Sequence, residues 1–415
     1  MTSAEGVTLR VQNINGDGLR YRLRARISLD RVARMVTSTV SKKSLGVIGF
    51  MRSEVALFLG LASAVIFLWI GSRWLGEVSE QVVLLWVVIV WLFAIVLWSA
   101  ISVVRHADCL ALKFGEPYGT LILTLSAITI EVIMISAMIL HGENNPTLAR
   151  DMMFAVIMIA LNGLVGLALL LGGLRHREQQ YNLQGSGAYL NTIMTLAVLG
   201  LVLPSFTTSL SRPSLNRVQE IFLIVASLAL YATFLFVQVR RHSQHFHEAS
   251  AATGDAAGEH HHLAVRSTLF HVVMLLLYLG VVVVLAEKFA VPLDICIERF
   301  GVPPALGGAI VAGLVLAPEA LSGIQAAMAN HLQRSVNILH GSVLASIGLT
   351  IPAVLIITLI TGQTITLGIG GGNLPLMVLT LAVSIVTFGS GKTSVLQGCI
   401  HLLLFAVFVL LIFAP

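Results

Sequence analysis

"LTLSAITIEVIMIS" (residues 123–136) is an apolar and hydroxyl-bearing run with one formal charge, at Glu131. A second apolar run contains "LAPEALSG" (316–323), with Glu319 in it. A carboxylate at the middle of a bilayer costs roughly 2.5–3.5 kcal/mol, so it is usually kept for a function. The two runs therefore predict membrane helices that each carry a functional acid. The alternative is a structural hydrogen bond between helices or a protonated carboxyl in the core.

The composition supports a membrane protein. Of the 415 residues, 57% are hydrophobic and 11% are charged, and the mean hydropathy is +0.91. An ordinary soluble domain has about 25% charged residues. Apolar runs long enough to cross a hydrocarbon core about 30 Å thick recur after residue 53. This pattern predicts a bundle of helices rather than a barrel, whose strands would alternate apolar and polar residues.

Eleven spans are predicted, at about 54–70, 81–104, 118–140, 152–174, 188–207, 218–239, 268–286, 303–325, 339–361, 374–389 and 394–414. They divide the chain into a basic arm (1–53), a first unit of six spans (54–239), a His-rich loop (240–267) and a second unit of five spans (268–415). The arm and alternate connections hold 19 of the 25 Lys and Arg residues. The positive-inside rule then predicts a cytoplasmic N-terminus and His-rich loop, and a C-terminus outside.

A leading span followed by two sets of five suggests an internal repeat. An odd number of helices in each set forces the second copy to enter the membrane upside down, an arrangement common in alternating-access transporters. Glu131 and Glu319 fall in the second helix of each set. The predicted fold is therefore an all-α polytopic bundle, with one leading helix and two inverted five-helix repeats.

Polar residues in the same spans predict a supporting shell around the two acids. Pro318 precedes Glu319 and predicts that the helix breaks or kinks at the acid, while Ser322 shares a helix face with that acid. Ser342 and Ser346 belong to a hydroxyl stripe in span 9, and Asn162 offers a neutral oxygen at mid-depth in span 4. Carboxylate, hydroxyl and amide oxygens suit hard cations or protons. Packing between helices would explain the same small polar residues.

Other motifs carry weaker signals. "GSGKTS" (389–394) lacks the first glycine of a phosphate-binding loop and lies between membrane spans, so nucleotide binding is not expected. A nucleic-acid partner is not expected either. The three cysteines have no metal-like spacing. His260–His262 and the other loop histidines could bind a metal or sense pH, although a solvated loop explains them more simply. No resident cofactor is expected.

Longer blocks of sequence carry a family resemblance. "GEPYGTLILTLSAITIEV" (115–132), "LAPEALSG" (316–323), "LQRSVNILHGSVLASIGLTIPAV" (332–354) and "FGSGKTSVLQGCIHL" (388–402) resemble ChaA-type calcium/proton and sodium-potassium/proton antiporters of the cation/calcium exchanger superfamily. The resemblance covers about residues 50–415. It implies that Glu131 and Glu319 are the two essential acids, which bind the exchanged cation and the proton.

One departure concerns the choice of cation. Typical calcium/proton exchangers have a Gly-Asn pair four and three residues before each acid, whereas this chain has Ala127-Ile128 and Val315-Leu316. Fewer amide ligands should weaken Ca²⁺ binding and admit monovalent cations.

The expected function is an inner-membrane antiporter, not an enzyme, that exports Ca²⁺, Na⁺ or K⁺ in exchange for H⁺ across the lipid bilayer. A cation channel, or a membrane-embedded metal-dependent enzyme, is the alternative.

Overall fold

The structure is a computed structural model that describes residues 53–78, 81–114, 118–141, 146–207, 215–246, 266–362 and 365–414. Two predicted segments lie largely outside these ranges. They are the basic arm, of which only Ser53 is described, and residues 247–265 of the His-rich loop.

Eleven long helices occupy the described ranges. They are α1 (Val55–Val78), α2 (Val82–Phe114), α3 (Tyr118–His141), α4 (Leu148–His176), α5 (Leu183–Ser205), α6 (Arg217–Arg241), α7 (Thr268–Phe300), α8 (Ala305–Met328), α9 (Leu332–Thr361), α10 (Asn373–Thr387) and α11 (Val395–Phe413). Eight are long and apolar enough to cross a membrane, and the other three contain shorter apolar segments. Each helix matches one predicted span, so the predicted fold class is confirmed.

Two predicted spans end too early. The second was placed at 81–104 and the seventh at 268–286, but α2 continues to Phe114 and α7 continues to Phe300. Charged side chains such as Arg105 and Glu287 mark the edge of the apolar run in the sequence. The backbone remains helical beyond that edge, and α7 passes through Pro292.

The helices repeat in length along the chain. The first members of the two sets, α2 and α7, have 33 residues each, and the second members, α3 and α8, have 24 each. The third members, α4 and α9, have 29 and 30 residues and each contains a π-helical segment, Met158–Leu164 and Ser346–Thr350. The fourth and fifth pairs differ, because α5 and α6 have 23 and 25 residues and one π segment each, whereas α10 and α11 are α-helices of 15 and 19 residues. The matching lengths of the first three pairs support an internal repeat.

The third member of each set lies deepest in the bundle. The most apolar windows of α4 and α9 are 72% and 67% buried, whereas that of α6 is 22% buried. The exposed apolar faces of the outer helices suit contact with lipid, because their backbone groups are already bonded within the helix. Side chains of α4 and α9 therefore have mainly protein neighbours.

The two sets are joined at both ends of the bundle. At one end, strand β1 (Gln179–Gln180) after α4 pairs antiparallel with strand β2 (Lys392–Thr393) after α10. At the other end, the segment between α9 and α10 bonds to the first set. Its contacts are Thr366 N to Pro146 O at 2.7 Å, Ile369 N to Leu201 O at 2.9 Å, and Ser205 Oγ to Ile369 O at 2.6 Å.

Candidate ion-binding site

A cavity of about 490 Å³ lies among α2, α3, α5, α6, α8 and α9. Six of the seven residues predicted for the site line this cavity: Glu131, Pro318, Glu319, Ser322, Ser342 and Ser346. The two acids come from different sets of helices, so neither set alone forms the site.

Glu131 projects from α3 into the protein interior, where it is 2% exposed. Its Oε2 accepts a hydrogen bond from Ser346 Oγ at 2.5 Å. Its Oε1 is enclosed and accepts no hydrogen bond from the described residues. A buried carboxylate oxygen without a partner is costly unless it is protonated or binds a cation. Glu131 is therefore suited to hold one or the other.

Glu319 occupies the corresponding helix of the second set. Its Oε2 is likewise enclosed and has no hydrogen-bond partner among the described residues. The break predicted at Pro318 is not present, because α8 runs as one helix from Ala305 to Met328. A proline removes only one backbone donor, and packing against neighbouring helices lets membrane helices tolerate that loss. The acid is thus presented from a continuous helix.

The irregular backbone next to Glu131 is the π segment of α9, one of four such segments in the described helices, with those of α4, α5 and α6. Ser346 begins the π segment of α9, and Ser342 lies one turn before it. π segments insert an extra residue into a helical turn and occur frequently at functional sites. In α9 the segment brings the Ser346 hydroxyl to Glu131. The buried Thr350 of the same stripe also lies near that carboxyl group, although it does not line the cavity.

Asn162 does not line the cavity. It lies in the π segment of α4 with no exposed surface. Its Nδ2 donates to Thr380 Oγ1 at 2.8 Å, and its Oδ1 is 3.2 Å from His401 Nδ1. The structure thus separates Asn162 from the two acids and places it in a polar cluster with α10 and α11. Its role as an ion ligand stays a prediction.

Two charged residues of the cavity were missed by sequence reasoning. Asp108 of α2 and Arg334 of α9 both line it, and Asp108 is close enough to Arg334 and to Glu319 for their charges to interact. The predicted second span ended at residue 104, which assigned Asp108 to a loop. The charged lining is three acids and one arginine, a balance that favours cations.

The positions of these residues indicate the side toward which the cavity extends. Asp108 is near the end of α2, Gln238 is near the end of α6 and Arg334 is near the start of α9. Because successive helices alternate in direction, these three ends lie on one side of the membrane. It is the side of the β1–β2 pair and, by the distribution of basic residues, the predicted cytoplasmic side.

Comparisons with known proteins agree with this architecture. The chain is 42% identical to y4hA of Sinorhizobium fredii, named as an ionic transporter, over 75% of this chain and 84% of that protein. It is 38% identical to the sodium-potassium/proton antiporter ChaA of Escherichia coli, over 86% of this chain and 95% of that protein.

Solved structures share the fold. The structure of native YfkE has a TM-score of 0.65 at 19% identity, covering 86% of this chain and 100% of that one. The H⁺/Ca²⁺ exchanger CAX has a TM-score of 0.55 at 15% identity, covering 86% and 89%. The model of the family described as sodium/calcium exchanger protein matches residues 84–240 and 270–414. This chain belongs to the sodium/calcium exchanger protein family.

Proposed function

We propose that the protein is a secondary antiporter that exports Ca²⁺, Na⁺ or K⁺ in exchange for H⁺. The observation that carries the proposal is the pair of acids, Glu131 and Glu319, whose enclosed oxygens lack hydrogen-bond partners within one cavity. The names of relatives support the same reaction, since ChaA is a sodium-potassium/proton antiporter and CAX is an H⁺/Ca²⁺ exchanger.

Exchange follows from competition for the two carboxylates. Burial disfavours an ionised carboxyl, so each acid holds a proton when no cation is near. An entering cation favours the ionised form and displaces the proton. Because the same oxygens cannot hold both ligands, each passage of a cation is coupled to a passage of protons in the opposite direction.

Alternating access requires that the site open to one side at a time. The cavity extends toward the predicted cytoplasmic side, where cations for export would enter. At the opposite end, the segment containing Thr366 and Ile369 joins the second set to the first. Rocking of one set against the other would break these bonds and expose the same acids to the outside.

Asp108 and Arg334 would act at the cavity entrance. Asp108 attracts cations and Arg334 opposes them, so the two charges set how readily a cation reaches the acids. We expect Asp108→Asn to raise the apparent KM for the cation by about tenfold, equivalent to about 1.4 kcal/mol, and Arg334→Gln to lower it. Both effects should weaken as ionic strength rises.

The cavity lining also bears on which cation is carried. Ala127, Ile128 and Val315 line the cavity at positions where calcium/proton exchangers supply Gly-Asn pairs. Ca²⁺ takes six to eight oxygen ligands, and apolar side chains supply none. Weaker Ca²⁺ binding, with Na⁺ and K⁺ as additional substrates, is therefore part of the proposal.

The proposal also includes the location of the protein, its topology and its cofactors. The protein would lie in the inner membrane with its N-terminus and His-rich loop in the cytoplasm and its C-terminus outside. It would catalyse no covalent reaction and need no resident cofactor or nucleotide. No group of three or more potential metal ligands is found within the described ranges, but His260–His262 lie outside them.

The deciding experiment is a cation-by-pH matrix on proteoliposomes with a pH-sensitive dye inside. Addition of Na⁺, K⁺ or Ca²⁺ outside should release protons from the vesicle interior at a rate that saturates with cation concentration. Glu131→Gln and Glu319→Gln should each abolish the signal. Glu220→Gln, outside the cavity, is the matched control and should retain it. Full cation-driven proton flux in both cavity variants would refute the two-acid mechanism.

A channel is the second candidate, because the same polar cavity could line a pore. The distinction is coupling. An antiporter exchanges protons for the added cation even when the membrane potential is clamped at zero. A channel gives cation flux with no obligatory proton movement under the same clamp.

A further inference from the structure

A second cluster of buried ionisable groups lies outside the transport cavity. Glu54 precedes α1, Arg105 and His106 belong to α2, and His271 and Tyr278 belong to α7. Glu54 Oε2 is 2.6 Å from Arg105 Nη2, 2.9 Å from Tyr278 OH and 3.4 Å from His106 Nε2. His106 Nδ1 is 3.0 Å from His271 Nδ1. Glu54 and both histidines are at most 3% exposed.

The hydrogen-bond partners determine where the protons sit on the two rings. The backbone N–H of Arg266 donates to His271 Nε2 at 3.0 Å, so that nitrogen carries no proton. His271 must then carry its proton on Nδ1 and donate it to His106 Nδ1. His106 Nδ1 is therefore an acceptor, and the His106 proton is on Nε2, which faces Glu54.

The opposite arrangement, with the His106 proton on Nδ1, is inconsistent with these contacts. Arg105 Nη2 also lies 3.3 Å from His106 Nε2. If that nitrogen were the acceptor, His106 would donate from Nδ1 and His271 would have to accept at both ring nitrogens, which no neutral imidazole with its one N–H can do. Arg105 donates instead to Glu54 at the shorter distance, as a charge-assisted bond.

This arrangement has room for one proton between the rings and no more. A proton added to His106 places two N–H groups face to face at the Nδ1 atoms. A proton added to His271 places an N–H against the amide of Arg266. Either event breaks a buried hydrogen bond between α2 and α7, or between α7 and the chain before it.

We propose that His106 and His271 form a second proton-binding site, and that its protonation loosens α2 from α7 and slows transport. The link to the cavity is short: Asp108 follows His106 by two residues, which places it on nearly the opposite face of α2, in the cavity lining. A shift of α2 away from α7 therefore moves Asp108.

Other charges surround the two rings and set their response to pH. The groups that face them are Glu54 from the start of α1, Arg105, Cys109 and Lys113 from α2, Arg266 before α7, and Tyr278 from α7. Among the described side chains of α3, which packs on both helices, Glu131 is the charged one and it lies in the cavity.

The first readout does not depend on transport. Cys109 is buried one turn after His106, on the same face of α2. The assay uses a Cys296→Ser, Cys399→Ser background. At acid pH we expect N-ethylmaleimide to label Cys109 at least about threefold faster in the parent than in a His106→Asn, His271→Asn variant. At alkaline pH the parent and the variant should label equally.

The second readout rests on the proposed antiport. Cation-driven proton flux in the parent should fall as the pH on the cavity side becomes acidic, and His106→Asn and His271→Asn should shift this fall by about one pH unit or abolish it. Asparagine replaces the ring Nδ1 by an amide atom that does not titrate. His176→Asn is the control, since His176 contacts the Met328 carbonyl outside both sites.

The outcomes separate the two proposals. Equal Cys109 labelling of parent and variant at every pH would overturn the proton-binding site. The proposal would also be overturned if proton flux fell at the same acid pH in the parent and in histidine variants whose elution and unfolding match those of the parent. Absence of any cation-driven proton flux in the parent, with pH-dependent labelling intact, would instead count against the antiport reaction.

Discussion

Ser346 of α9 donates a hydrogen bond of 2.5 Å to Glu131 of α3, and this bond ties the π segment of the second set of helices to the acid of the first. The two residues are 215 positions apart in sequence. The contact holds the Glu131 carboxylate in one orientation, with its other oxygen enclosed beside the cavity.

Removal of that hydroxyl should weaken cation binding. A hydrogen bond to a charged group contributes about 1.5–3 kcal/mol, so Ser346→Ala should raise the apparent KM for the cation by roughly tenfold or more. Ser346→Thr keeps a hydroxyl and should recover most of the loss. Equal KM values for parent and Ser346→Ala in proteoliposomes would show that the bond does not orient the acid for binding.

Asn162 tests a structural role against a role in the ion site. Asn162→Ala removes the partner of His401 Nδ1 and one of the two partners of Thr380 Oγ1, while His401 Nε2 keeps Thr387. A buried polar atom left unsatisfied costs about 1–3 kcal/mol. We expect a lower unfolding temperature in detergent and a change of less than about twofold in the KM for the cation. A large rise in KM at unchanged stability would place Asn162 in the ion site, as its mid-depth position in the sequence predicts.

Close packing of α4 against α11 predicts a steric effect at Gly398. A Cβ there would lie 2.6 Å from Leu170 N and 2.9 Å from Gly166 O, both backbone atoms. Gly398→Ala should therefore destabilise the fold by about 1–3 kcal/mol. The control is Gly280→Ala in α7, where a Cβ meets nothing within 4 Å and helix propensity favours alanine. Thermal unfolding of both variants would compare them directly.

Glu54 predicts a dependence of stability on pH. Burial by itself raises the pKa of Glu54, but hydrogen bonds from His106 and Tyr278 and the charge of Arg105 outweigh burial and lower the pKa below its ordinary 4.5. A lowered folded-state pKa gives stability that is complete above 4.5 and is lost as the pH falls through the folded value.

The measurement for Glu54 is the unfolding temperature in detergent between about pH 3 and pH 7, a range that brackets its ordinary pKa. Glu54→Gln should be less stable than the parent at neutral pH, and its unfolding temperature should depend less on pH in the acid range. Glu178→Gln, whose carboxylate is exposed, should follow the parent curve. If the unfolding temperatures of the parent and Glu54→Gln fell in parallel at acid pH, Glu54 would not be the cause of the lost stability.

Some features of the site could be read from local sequence. Glu131 and Glu319 stand out because a charge in a membrane span is costly, and their equivalent places in two sets of five helices follow from counting spans. The hydroxyl stripe gave Ser342 and Ser346 by helical periodicity alone. The helix break at Pro318 was wrong, because its occurrence depends on packing around α8 rather than on the proline itself.

Other features depended on contacts between distant segments. Asp108 was missed because the helical extension of α2 lies beyond the apolar run, where hydropathy gives no signal. Asn162 has the residue type and depth of a ligand, yet its partners come from α10 and α11. The pairing of His106 with His271 joins residues 165 positions apart, and neither has a local pattern that marks it.

The sequence by itself determined the eleven helices, the two sets of five and the two acids, because the bilayer imposes length, apolarity and a cost for charge on every span. The tertiary structure decided which polar atoms meet. It placed Ser346 on Glu131, brought Asp108 and Arg334 to the cavity, moved Asn162 out of it and set His106 against His271. These choices follow from how α2, α4, α7 and α9 pack, and packing depends on side chains far apart in the chain.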